Sequence, residues 1–313
     1  MRVLITGAAG FVGTHMARHL RSCGGIPLAF GLPGEHFSGD FEASFAGDIA
    51  EADSVAEALH SARPDACVHL AGISSVSSAR ANPSRAVRTN VTGTVTLIEE
   101  FRRLRPGGRM LVVTTAQVYG TQPGIPRVDE ESPMKPDNLY AATKAAADLL
   151  ARQLAADLGP SVSVARPGNH IGPGQSSSFV IASFARQVAG IAAGRIPPVL
   201  RVGNLDSTRD FMDVRDVVRA YRLLLERGEP GQAYNLARGE QHTIRAMLDR
   251  LCDAAGVRPR IEVDPALFRP TDATATLDTR KIRTATGWRA EIPLDRTLAD
   301  MLAGETAEAP PAG

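Results

Sequence analysis

The chain has 313 residues, enough for a large core and a second lobe, and it carries 35 Lys and Arg against 34 Asp and Glu. This balance gives no support for nucleic acid or an anionic membrane surface as a partner. The cysteines are scattered without a CxxC spacing, which predicts reduced thiols and no metal site. With no signal peptide and no stretch near the roughly 20 apolar residues of a membrane span, the sequence predicts a soluble cytoplasmic protein.

A glycine-rich turn follows the first predicted strand. Residues 2–5 are an apolar run, and a helix is predicted over residues 14–23. Between them Gly7, Gly10 and Gly13 form a GxxGxxG spacing, which differs from the GxGxxG of the commonest dinucleotide fingerprint. Glycines let a backbone turn tightly and approach a pyrophosphate, whose charge then lies at a helix N-terminus. The turn therefore predicts a dinucleotide site.

Strands and helices alternate through the first half of the chain, which predicts the α/β class with a Rossmann-type, doubly wound parallel sheet. The predicted strands cover residues 2–5, 26–30, 67–71, 110–114 and 162–165, and the helices cover residues 14–23, 54–61, 91–101 and 140–157. After residue 165 the sequence becomes rich in Pro and Gly. We expect a dinucleotide-binding domain over residues 1–165, a smaller substrate lobe over 166–303 with some return to the first domain, and a disordered tail over 304–313.

Tyr140 and Lys144 are one helical turn apart, so their side chains share a helix face. An ammonium beside a phenol favours the ionised form and lowers the pKa of the tyrosine from about 10. This pairing predicts a tyrosine that transfers protons near neutral pH.

These motifs together resemble the extended short-chain dehydrogenase/reductase family over nearly the whole chain. The resemblance implies that Thr115, Tyr140 and Lys144 are catalytic. It places Asp48 near the adenine, residues 69–72 against the cofactor and Asn90 near the active site. The implied cofactor-binding residues are Gly7, Gly10, Phe11, Val12, Asp48, Ile49, Leu70, Ala71, Gly72, Asn90, Tyr140 and Lys144.

The second half resembles the branch of this family that acts on GDP-sugars. The matching segments are residues 166–175, 203–206, 209–211, 213–216 and 269–272. The resemblance implies that Arg209 and Arg269 reach the nucleotide diphosphate and that Asp272 reaches the nucleoside; arginine forks suit phosphate oxygens. Gly168 departs from the branch, which usually carries a bulky aromatic residue there. The implied substrate-binding residues are Ser74, Gln117, Asn169, Val180, Arg209, Arg269 and Asp272.

One position separates the two chemistries of this branch. A 4,6-dehydratase uses a glutamate two residues after the catalytic Thr or Ser, and this chain has Gln117, whose carboxamide is not a base at neutral pH. A GDP-mannose 4,6-dehydratase is therefore disfavoured. The resemblance implies reduction of the C4 ketone of GDP-4-keto-6-deoxy-D-mannose to GDP-D-rhamnose. The alternatives are a nucleotide-sugar 4-epimerase that holds NAD tightly and a non-catalytic nucleotide binder.

Cofactor and assembly are also predicted. NAD enzymes place an acid after the second strand, near Phe30 here, but no acid occurs until Glu35 and no arginine fork is evident. We therefore expect NADP(H) to be favoured, with NAD(H) also used. A homodimer is the habit of the family, with residues 140–157 and 91–103 as the candidate interface helices.

Overall fold

The computed structural model describes residues 1–121, 127–158, 161–268 and 276–307. Its strands are β1 Arg2–Thr6, β2 Ile26–Gly31, β3 Ala43–Ala46, β4 Ala66–His69, β5 Arg109–Val113, β6 Arg127–Val128, β7 Ser161–Pro167, β8 Asn169–Ile171, β9 Val199–Val202, β10 Thr208–Asp213, β11 Ala233–Leu236, β12 Gln241–Thr243, β13 Arg260–Val263 and β14 Thr276–Leu277. Its α-helices are α1 Phe11–Ser22, α2 Ala52–Ala62, α3 Val76–Ala81, α4 Pro83–Val87, α5 Gly93–Leu104, α6 Leu139–Leu158, α7 Val180–Ala192, α8 Val214–Arg227, α9 Ile244–Ala255, α10 Arg280–Thr286 and α11 Leu294–Ala307.

The central sheet is parallel and has the strand order β3-β2-β1-β4-β5-β7-β11, which confirms the predicted doubly wound α/β fold. The direction of strand order reverses between β1 and β4. In such sheets a crevice opens at this point, beyond the carboxyl ends of the strands, and ligands bind there. The turn after β1 and the loop after β4 therefore border the expected cofactor crevice.

The strands of the central sheet are apolar and buried on both faces, because a layer of helices covers each face of the sheet. In β1, Val3 and Ile5 face the core shared with α1 and α8, while Leu4 faces the core covered by α2, α5 and α6. This alternation follows from the two-residue period of a strand. It fixes the register of β1 and so the position of the turn that follows it.

A second core lies among α7, α9 and α11, packed on β9 and β10. The chain crosses between the two regions, because α8 and β11 come after residue 166 yet pack on or join the large sheet. Helix α11 continues to Ala307, so the predicted disordered tail is wrong for residues 304–307; residues 308–313 lie outside the described residues. In the described parts of the chain, no helix combines the length and apolar character needed to cross a bilayer.

Candidate active site

The glycine turn after β1 is packed too tightly for side chains. A Cβ on Gly7, whose φ is +65°, would lie 2.8 Å from the backbone nitrogen of Ala71, and one on Gly13 would lie 2.5 Å from the carbonyl oxygen of Ala8. Helix α1 begins at Phe11 with no acidic residue in its first turn, and no described side chain caps it. Its first N–H groups are therefore available to an anion, which fits a dinucleotide pyrophosphate.

Thr115, Tyr140 and Lys144 come together beyond the end of β5. Tyr140 and Lys144 lie on α6, and Tyr140 forms a side-chain hydrogen bond with Thr115. Thr115 caps a 3₁₀ turn, where its Oγ1 accepts a hydrogen bond from the Gln117 N–H at 3.2 Å. All three side chains are buried. The structure therefore assembles the three residues that the sequence nominated.

The protonation of Tyr140 differs from the sequence-based expectation. Burial raises its pKa to about 12, and the hydrogen bond with Thr115 only partly opposes the rise. Burial also lowers the pKa of Lys144 to about 8. The expected lowering of the Tyr140 pKa is thus wrong here, because desolvation disfavours the charged form of both groups. At neutral pH Tyr140 is a protonated phenol and Lys144 is an ammonium.

Lys144 lies close to Asn90 and Gly72. Its Nζ donates to the carbonyl oxygen of Val113 at 2.9 Å. A Cβ on Gly72 would lie 2.9 Å from Asn90 Oδ1 and 3.3 Å from Lys144 Nζ, so glycine leaves room for both groups. Asn90, in a π-helical turn before α5, binds both backbone groups of Ile73 and so fixes the loop after β4.

His69 is buried between two threonines at the end of β4. Its Nδ1 is 2.7 Å from Thr6 Oγ1 and its Nε2 is 3.0 Å from Thr94 Oγ1. Burial, with a smaller contribution from the charge of Lys144, lowers its pKa to about 3. Thr94 donates to the Asn90 carbonyl, and Thr6 accepts from the Ala71 N–H. The neutral imidazole therefore carries its proton on Nε2 and links the ends of β1 and β4.

The remaining predicted cofactor residues follow β1, β3 and β4, at the carboxyl ends of parallel strands. Asp48 Oδ1 accepts from the Ala50 N–H at 2.9 Å, and Oδ2 pairs with Arg88 at 2.9 Å. The Ala50 hydrogen bond is the main cause of its lowered pKa, and the Arg88 pairing adds to it. Ile49 is buried against Gly93, while Leu70 and Val12 are half-buried. Asp48 is thus a fixed carboxylate held by its neighbours.

Glu35 is an acid that sequence spacing placed too far from the end of β2. Gly34 turns the chain at φ +86°, and Glu35 Oε2 returns to accept a hydrogen bond from the Leu32 N–H at 3.1 Å. The carboxylate fills the position that a side chain on Gly31, the last residue of β2, would take. The expectation that no acid stands at the end of the second strand is therefore wrong in space. The glycine at the strand end and the Pro33-Gly34 turn were the signals that could have identified it.

Phe11 connects α1 to the loop of the second lobe. Its ring stacks 6.3 Å from His170 and meets His15 edge-on at 5.2 Å. His15 Nε2 is 2.9 Å from the carbonyl oxygen of Pro173, and His170 Nδ1 is 3.1 Å from that of Gly168. Burial lowers the pKa of both histidines. His170 therefore holds the loop as a neutral residue.

The predicted substrate residues that the structure describes come from several separate segments of the chain. Ser74 and Gln117 are exposed in the loops after β4 and β5, Asn169 is on β8, Val180 begins α7, and Arg209 is on β10. Arg269 and Asp272 lie outside the described residues. A Cβ on Gly168 would meet only ordinary contacts at 3.4 and 3.7 Å. The departure at Gly168 therefore leaves open space without a local clash.

The chain is similar to one protein family, to a named relative and to a solved structure. The chain matches the family model described as GDP-mannose 4,6 dehydratase over residues 4–301. It is 38% identical over 304 residues to the GDP-6-deoxy-D-mannose reductase of Pseudomonas aeruginosa, with 96% of each chain covered. The structure of RMD from Pseudomonas aeruginosa complexed with NADPH matches with a TM-score of 0.85 at 36% identity, covering 99% of this chain and 100% of that chain.

A related fold with a different chemistry also matches. The UDP-glucose 4-epimerase of Thermus thermophilus, in complex with NAD, gives a TM-score of 0.86 at 29% identity and covers 99% of this chain and 100% of that chain. Among the similar proteins, this architecture therefore occurs in one that is named a reductase and in one that is named an epimerase. The side chains of the site must discriminate between these chemistries.

Proposed function

Because the chain belongs to the GDP-mannose 4,6-dehydratase family of extended short-chain dehydrogenases/reductases, we propose that it acts on a GDP-linked 4-keto-6-deoxy sugar. The reaction is the NAD(P)H-dependent reduction of the C4 ketone of GDP-4-keto-6-deoxy-D-mannose to GDP-D-rhamnose. The observation that carries this proposal is the protonated Tyr140 phenol, hydrogen-bonded to Thr115 with Lys144 on the same helix face. The 38% sequence identity to a GDP-6-deoxy-D-mannose reductase supports the same substrate class.

The catalytic roles follow from the protonation states. Tyr140 donates its proton to the oxygen at C4 as negative charge develops there, and a pKa of about 12 keeps the proton available at neutral pH. Thr115 orients that phenol and hydrogen-bonds the same oxygen. Lys144, held by the Val113 carbonyl, presents its ammonium to the ribose side of the cofactor and stabilises developing negative charge. The nicotinamide, when bound, supplies the hydride.

We infer that NADPH is the favoured cofactor and that NADH is usable. The support for NADPH is the structure of RMD complexed with NADPH and no longer the missing acid, while the matching epimerase structure contains NAD. The N-terminus of α1 and the glycine turn hold the pyrophosphate, with Phe11 and Val12 at the helix start. Asp48 and Ile49 border the adenine side, and residues 70–72 line the crevice opposite. Arg209, Arg269 and Asp272 are the residues we assign to the nucleotide diphosphate and nucleoside of the substrate.

Gln117 argues against the dehydratase named by the family model. Its side chain is exposed beside the triad, and its Oε1 is 3.5 Å from Asn138 Nδ2. A carboxamide does not abstract the C5 proton that a 4,6-dehydratase must remove. The epimerase remains the second candidate, because its fold and its NAD complex match this chain over nearly its full length.

One assay tests the proposal directly. NADPH absorbance at 340 nm should fall when the protein is mixed with GDP-4-keto-6-deoxy-D-mannose, and NMR of the product should show the rhamno configuration at C4. A talo product would correct the stereochemistry alone. Absence of oxidation with both NADPH and NADH would contradict the reductase, and NAD retained through purification would then favour the epimerase.

Glu35 should control the choice between the two cofactors. A carboxylate at the end of β2 accepts a hydrogen bond from a ribose 2′-hydroxyl and repels a 2′-phosphate. We expect Glu35→Gln to raise the NADPH-to-NADH ratio of kcat/KM by about 10-fold, since two charges about 4 Å apart near a surface repel by about 1 to 4 kcal/mol. Steady-state kinetics with both cofactors measures the ratio. Glu42→Gln, at an exposed carboxylate paired with Arg21, is the control and should leave it unchanged.

We further propose that the protein forms a homodimer and that it is located in the cytoplasm. Leu149 and Leu150 of α6 are exposed and form a small apolar face on this helix, which packs beside α5. Burial of such a face against a second copy is the simplest way to cover it. The three cysteines are free thiols and Cys23 is exposed, which suits a reducing compartment.

A charge at this face should dissociate the dimer. Leu149 is 56% exposed, and a twofold interface contains it twice. We expect Leu149→Arg to weaken dimerisation by on the order of 100-fold, from the loss of about 1.5 kcal/mol of burial per copy. Sedimentation across a concentration series measures the dissociation constant. Val263→Arg, at a residue of the second lobe that is 59% exposed, is the matched control; an equal effect there would contradict the assigned interface.

A further inference from the structure

A buried ion pair contacts the segments that carry Thr115, Tyr140 and Lys144. Arg166 of β7 donates two hydrogen bonds to Asp148 of α6, from Nε to Oδ2 and from Nη2 to Oδ1, each 2.8 Å long. Both side chains are 0% exposed. The paired, parallel geometry fixes direction as well as distance, because a guanidinium and a carboxylate meet in one plane.

The pair contacts both segments that carry the catalytic residues. Asp148 lies four residues after Lys144 and eight after Tyr140, so all three belong to the same face of α6. On the other segment, Thr114 Oγ1 donates to Asp148 Oδ2 at 3.1 Å, immediately before Thr115. The carboxylate therefore joins the catalytic helix to the segment of the catalytic threonine.

Arg166 holds the far end of that segment. Its Nη1 donates to Tyr119 Oη at 2.9 Å, and its guanidinium lies 5.3 Å from the centre of the Tyr119 ring. Tyr119 ends the 3₁₀ turn that Thr115 begins, and its hydroxyl donates to Asn235 Oδ1 at 2.7 Å. Thr115 is thus bracketed by two residues of the same network.

We propose that Asp148 and Arg166 are positioning residues that hold Tyr140 and Thr115 in their reactive geometry, without touching substrate. This role rests on the proposed ketone reduction. A pair of charges removed from water is costly to bury and weak as a source of stability. Its value here lies in geometry, because it cross-links α6, β7 and the turn after β5 at the level of the site.

The test replaces both charges at once. Asp148→Leu/Arg166→Met removes both charges of the pair. Thr114 keeps its bond to the Ala165 carbonyl and Tyr119 keeps its bond to Asn235, while the Glu130 carbonyl loses the bond from Arg166 Nη1. We expect folded protein with unchanged NADPH affinity and KM, and a kcat lower by about 100-fold, the effect of a displacement near 1 Å. The kinetic isotope effect on kcat with deuterated NADPH should rise as hydride transfer becomes limiting.

A second readout does not need turnover. The chain has only 4 tyrosines, so ¹³Cζ-labelled tyrosine gives few signals, and Tyr140→Phe assigns the catalytic one. The Tyr140 signal should move or broaden in the double variant. Arg166→Lys, which keeps the charge but loses the planar fork, should give an intermediate kcat and covers the case in which the double variant does not fold.

The control is an ion pair on α8 that also has a buried carboxylate, Asp216 with Arg219 at 2.7 Å. Asp216→Leu/Arg219→Met should change stability and leave kcat, the isotope effect and the Tyr140 signal unchanged. A wild-type kcat and an unmoved Tyr140 signal in the Asp148/Arg166 variants would overturn the positioning role. A wild-type enzyme that does not reduce the sugar would contradict only the proposed function, because the NMR experiment still reports on Tyr140.

Discussion

Replacement of Tyr140 by phenylalanine should lower kcat by about 1000-fold, within the range of roughly 100 to 10,000 for a positioned general acid. The phenol is the buried hydroxyl hydrogen-bonded to Thr115, and its pKa of about 12 keeps it protonated throughout the neutral range. Phenylalanine preserves the packing of the ring and removes only the proton donor. Single-turnover oxidation of NADPH, followed at 340 nm, measures the chemical step.

Tyr234→Phe is the matched control for this variant. Tyr234 of β11 is also buried, and its hydroxyl accepts a hydrogen bond from the Glu229 N–H at 3.0 Å, away from the triad. The kcat of the Tyr234→Phe variant should equal that of the wild type. If Tyr140→Phe instead raised only KM, the hydroxyl would contribute to binding and the general-acid role would be wrong.

Replacement of Lys144 by methionine should lower kcat/KM by about 100-fold or more, the usual cost of removing one electrostatic stabiliser from an active site.

The wild type should also lose kcat/KM as pH rises through about 8. Burial lowers the pKa of Lys144 to that value, so its ammonium is present below pH 8 and is neutralised above it. Tyr140 does not titrate in this range, since its pKa is raised to about 12.

The Lys144→Arg variant tests whether the decline of kcat/KM above pH 8 comes from loss of the positive charge at residue 144. A guanidinium stays protonated throughout this range, so the decline above pH 8 should disappear even though its larger head group reduces the rate. The pH profile of kcat/KM reports groups of the free enzyme, which is the state in which Lys144 donates to the Val113 carbonyl. A decline that persisted in Lys144→Arg would assign it to another group.

Local sequence predicted much of the fold and nominated Thr115, Tyr140 and Lys144, which the structure brings together. The glycine spacing of residues 7–13 and the alternation of apolar runs with helices sufficed for a doubly wound sheet, because both depend on short-range backbone geometry. Tyr140 and Lys144 are neighbours on any helix that contains them. Gln117, at the position where the resemblance expects a dehydratase glutamate, favoured reductase chemistry because a carboxamide is not a base at neutral pH.

The tertiary structure decided what depends on burial and on contacts between distant segments. Glu35 reaches the end of β2 only because a Gly34 turn folds it back. The pKa of Tyr140 rises instead of falling, because its position inside the protein desolvates it more than any neighbour stabilises its charge. Asp148 and Arg166 are 18 residues apart, and no periodicity of the sequence pairs them. Desolvation and long-range contact are properties of the packed chain, so sequence spacing does not encode them locally.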